Sequence, residues 1–111
     1  NNLVNWTNEN VTSRFEISVG VDYNSDVDKV IQLLIEVTEN NKFVLKNPNP
    51  VVRFVEFADS SLNFKVLFWC DEIFRIENIK SDIRLGILKS FNENNINIPF
   101  PNRVLHFNQK I

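Results

Sequence analysis

Between Leu62 and Cys70 the chain reads Leu-Asn-Phe-Lys-Val-Leu-Phe-Trp-Cys, with an apolar residue at every second position: Leu62, Phe64, Val66, Phe68 and Cys70. Successive side chains of an extended strand point to opposite faces, so these residues form one continuous apolar face. The other parity carries Asn63, Lys65, Leu67 and Trp69, half polar and half apolar. A helix would scatter the same residues around its circumference, because its period is 3.6. The segment therefore demands a sheet covered on one side by other parts of the chain. Its second side is free to dock something.

The remaining patterns say what does the covering. From Arg14 to Val21 the residues Phe15, Ile17, Val19 and Val21 alternate with Glu16, Ser18 and Gly20, which reads as a half-buried strand. Ser25 is expected to cap a following helix, with Asp28 three residues on and Asp26 adding negative charge to the first turn. Val27, Val30, Ile31, Leu34 and Val37 then recur at helical spacing until Asn40-Asn41. Lys46-Asn47-Pro48-Asn49-Pro50 forbids regular structure. A strand from Val51 to Phe57 follows, joined to Leu62–Cys70 by Ala58-Asp59-Ser60-Ser61, a polar connection suited to a hairpin. A second helix fits roughly Phe74 to Asn94, with Ile76, Ile79, Ile83, Ile87 and Phe91 on one stripe. Gly86 inside it costs up to about 1 kcal/mol against Ala, which points to close packing there. Asn95 to Pro101 stops the helix, and Val104 to Phe107 supplies a last short strand.

The order is β-α-β-β-α-β. It predicts an α+β, ferredoxin-like split βαβ fold: a mixed sheet with two helices on one face. The expected core is Phe15, Ile17, Val19, Val30, Ile31, Leu34, Leu62, Phe64, Val66, Phe68, Ile83, Ile87 and Phe91. Residues 1–13 read as a lead-in, 14–108 as the domain and 109–111 as a tail, without repeat or low-complexity linker.

Several function classes fall away. Lys and Arg number 12 against 14 Asp and Glu, so there is no cationic footprint for nucleic acid. The outward strand residues Trp69, Lys65, Ser18 and Glu16 also lack the aromatic and basic signature of RNA-recognition modules sharing this element order. With 2 Gly no phosphate-cradling loop is expected. His106 is the one histidine, and with Cys70, Asp71 and Glu72 it matches no zinc spacing. Cys70 lies on the apolar parity, where a free thiol behaves as a small hydrophobe, and a lone Cys fits a reducing compartment. Asp26 and Asp28 are explained as helix-start charges. The sequons at Asn5 and Asn10 are expected by chance in so Asn-rich a chain. No leader pattern is seen and no apolar run approaches the roughly 20 residues that span a bilayer, so a soluble chain without catalytic, metal or cofactor sites is expected. Trp69 and Leu67 have two readings: an ordinary surface pair, or a docking patch for another domain or subunit.

Four stretches match a known pattern in order: Val19 to Val30 (VGVDYNSDVDKV), Val44 to Val52 (VLKNPNPVV), Asp59 to Trp69 (DSSLNFKVLFW) and Asn95 to Pro101 (NINIPFP). Together they resemble the cytoplasmic C-terminal α/β domain of the small-conductance mechanosensitive channel (MscS-like) family, and Asn5-Trp6-Thr7 resembles the end of that family's preceding β domain. The resemblance covers nearly the whole chain. It implies a bacterial inner-membrane channel that opens under tension to release solutes in osmotic shock. This chain would be part of its cytoplasmic vestibule, a homo-oligomer (heptamer in the family) in contact with its own transmembrane and β domains. It implies no catalytic residue. Trp69, Leu67 and Lys65, with Asn102 and Arg103 after the Pro pair, are the candidate subunit or domain contacts. Many family members have Gly where Asn95 stands, Gln at Asn102 and an acidic residue at Val104. The rival reading is a small-molecule-binding regulatory domain of ferredoxin-like fold; third comes an enzyme such as an acyl-phosphate hydrolase.

Overall fold

The computed structural model describes residues 12–99. Its elements run β1 (Ser13–Val21), α1 (Val27–Glu39), β2 (Val51–Phe57), β3 (Leu62–Cys70), a single 3-10 turn at Ile73–Arg75 and α2 (Ile76–Glu93). The strand expected at Val104–Phe107 lies outside the described residues.

β3 is the middle strand, in the order β1-β3-β2, and pairs antiparallel with both neighbours. The mixed sheet expected from the element order is thus antiparallel throughout its described strands. The α1 crossover does leave β1 and β2 pointing the same way, but β3 inserts between them and removes the parallel contact. Registry matches the apolar parities: Phe15 faces Phe68, Ile17 faces Val66, Val19 faces Phe64 and Val21 faces Leu62. From β2, Val52 and Phe54 join the same face opposite Val66 and Phe64, before a bulge between Phe54 and Glu56 shifts the register.

Both helices pack on that face. Val30, Leu33 and Leu34 of α1 and Ile79, Ile83, Ile87 and Phe91 of α2 share one cluster with Ile17, Val21, Phe64, Val66, Phe68 and Cys70. Phe15, Val19 and Ile31, expected inside, are partly buried against it, whereas Val21, Leu33, Val44, Ile79, Cys70 and Ile96 complete it. The stripe of α1 is rotated from the expected one, with Leu33 buried and Val27 exposed. Thr38 is also buried, and its hydroxyl donates to the Leu34 carbonyl at 2.8 Å, which removes the cost of burying it.

The caps refine the local expectations. Asp26, not Ser25, is the N-cap of α1; its carboxylate accepts from the Lys29 N–H at 3.3 Å and also favours the positive helix end. The second helix begins at Ile76 after the Ile73–Arg75 turn, which leaves Phe74 outside it. At its other end Asn95 takes φ 60, and the Ile96 N–H reaches back to the Phe91 carbonyl at 2.9 Å. The chain then returns beside β1, where the Asp22 N–H donates to the Asn97 carbonyl at 2.9 Å.

Candidate functional site

The sheet face turned away from the helices is built by the second parity of each strand. Arg14, Glu16, Ser18 and Gly20 of β1 stand opposite Trp69, Leu67, Lys65 and Asn63 of β3, while Val51 and Arg53 of β2 face Leu67 and Lys65. Lys65 Nζ lies 3.2 Å from a Glu16 carboxylate oxygen, a diagonal pair since Glu16 sits directly opposite Leu67. Both side chains are well exposed, so water screens the pair and it contributes at most about 1 kcal/mol. Leu67 differs from its neighbours. It is only 6% exposed, yet it stands apart from the main hydrophobic cluster. Trp69 is half-buried, and its carbonyl accepts from the Leu45 N–H at 2.9 Å, so the segment after α1 extends the sheet beside it.

The end of the sheet nearest Trp69 gathers further groups. Ser13 pairs with Cys70, and the Thr12 hydroxyl donates to the Asp71 carboxylate at 2.8 Å. Cys70 Sγ, buried, accepts from the Glu72 N–H at 3.2 Å. Burial pushes its thiol pKa up, with smaller contributions from the Asp71 and Glu72 charges, so the thiol is held in its unreactive protonated form. Arg75 pairs with Glu72 at 3.3 Å, and Lys42 and Arg75 lie 5.3 and 5.4 Å from the centre of the Phe43 ring. Between these anchored neighbours Phe74 stands 89% exposed. At the opposite end of β3 the edge strand β2 shows Phe54, Val55 and Phe57, with the two rings edge-to-face at 4.8 Å.

Of the candidate contacts, Lys65, Leu67 and Trp69 thus share one face of one strand, whereas Asn102 and Arg103 lie outside the described residues, as does His106. Among the described residues no group of three or more His, Cys, Asp or Glu could hold a metal ion. A groove of about 440 Å³ runs along the contact of the two helices, lined by Glu36, Asn40, Asp82, Gly86, Lys89 and Glu93 among others. That polar, open lining differs from the apolar walls that usually enclose small molecules. In the sequence Phe57 and Phe74 mark only the end of a strand and the start of a helix, and neither mark says whether a side chain is covered; the structure leaves both bare.

Comparison with known proteins bears on the whole domain. A family model described as "Mechanosensitive ion channel MscS, C-terminal" matches residues 15–98. An MscS family protein of Buchnera aphidicola subsp. Baizongia pistaciae is 38% identical over 109 residues, covering 98% of this chain and 38% of the relative. One from Archaeoglobus fulgidus is 36% identical over 106 residues, covering 96% and 37%. The crystal structure of Helicobacter pylori MscS in its closed state superposes with a TM-score of 0.74 at 30% identity, over 80% of this chain and 35% of that one. The chain therefore spans well under half the length of these relatives. Among the described residues no helix is long and apolar enough to cross a membrane.

Proposed function

The chain belongs to the MscS family of mechanosensitive ion channels, as their C-terminal domain, and from that premise we propose that it forms part of the wall of a cytoplasmic vestibule in a tension-gated channel. The observation that carries this reading is the family match across residues 15–98. The one-sided sheet supports it: a face backed by two helices and a second face free for assembly suits a wall segment that acts by packing.

Within this reading the described β1-β3-β2 sheet and its helices are the larger part of a ferredoxin-like split βαβ domain, residues 14–108, completed by Val104–Phe107 as the fourth strand. Residues 1–13 lead in from the preceding domain and 109–111 form a tail. The homo-oligomer is the family's heptamer, held in part by Trp69, Lys65, Asn102 and Arg103; Leu67 shares the strand face of Trp69 but, at 6% exposure, offers little contact area. The full-length protein sits in the bacterial inner membrane with this domain on the cytoplasmic side, and it releases solutes when hypo-osmotic shock stretches the bilayer.

The test is electrical. The full-length protein, reconstituted in liposomes and drawn into a patch pipette, is expected to open under suction with no added ligand. Patches that stay silent up to the tension at which the bilayer ruptures would refute the channel reading.

A further inference from the structure

We draw no further inference here: the strongest candidate, the exposed apolar edge of β2 at Val51, Phe54, Val55 and Phe57, carries nothing because nothing in the structure of residues 12–99 shows what covers it.

Discussion

Asn95 holds the position that most residues tolerate least. It follows the last turn of α2 with φ 60, and with the Ile96 N–H bonded to the Phe91 carbonyl at 2.9 Å it forms the helix-ending turn that usually carries glycine. Ile96 and Phe91 are both buried, so the turn also fixes a hydrophobic contact that closes the core at that end. The left-handed backbone brings Cβ close to the following carbonyl; asparagine pays less for this than other L-residues, but more than glycine. Asn95→Gly is therefore expected to raise stability by about 0.5 kcal/mol, the relief of strain being partly offset by a freer unfolded chain. Asn95→Val, β-branched, is expected to lower it by about 1–2 kcal/mol. Urea denaturation of both variants checks this, and a Val variant as stable as the parent would rule out the strained conformation. The position was legible in the sequence, since Asn ahead of a Pro-rich segment is a helix stop. The buried partner of that stop was not, because Ile96 reads as one apolar residue in a loop.

Among the elements, the contact between the two helices turns on Gly86. A Cβ built there would lie 2.8 Å from Val37 Cγ1, closer than real side chains approach. Gly86→Ala gains up to about 1 kcal/mol in helix propensity but must push Val37 or the whole of α1 outward. A net loss of about 1–2 kcal/mol is expected, as for other overpacked sites. Adding Val37→Ala restores the room, so a double-mutant cycle should show a favourable coupling of at least about 0.5 kcal/mol. Purely additive effects would mean that the helices do not touch there. A glycine inside a strong helical stripe announces close packing from the sequence alone, but the stripe cannot name Val37 as the partner. The strand β2 shows the same limit. Its bounds follow from the flanking Pro and Asp-Ser-Ser, yet the exposure of Val51, Phe54, Val55 and Phe57 goes with its place at the edge of the described three-stranded sheet.

For the molecule as a whole, stability concentrates on the central strand. Phe64 is fully buried between Val19 of β1 and Phe54 of β2, with its ring 5.3 Å from that of Phe54. Phe64→Ala is expected to cost about 3–5 kcal/mol, a large share of the roughly 5–15 kcal/mol that holds a domain folded. Phe54→Ala on the edge, already 42% exposed, should cost clearly less. Denaturation curves in which the two variants lose equal stability would contradict the central placement of β3. Within residues 12–99 the order of the strands and helices, the apolar parity of the strands and the one-sided layering were legible in the sequence, because a period is set by residues within a few positions of each other; the cap and exact buried stripe of α1 were not. The sequence also carried the ordered stretches that resemble the channel family. Tertiary packing settled that Leu67 is covered while Phe74 is bare, and that Gly86 meets Val37. Those outcomes depend on which distant segments pair. An alternating pattern tells a strand which face to bury, but it contains nothing that selects the neighbour.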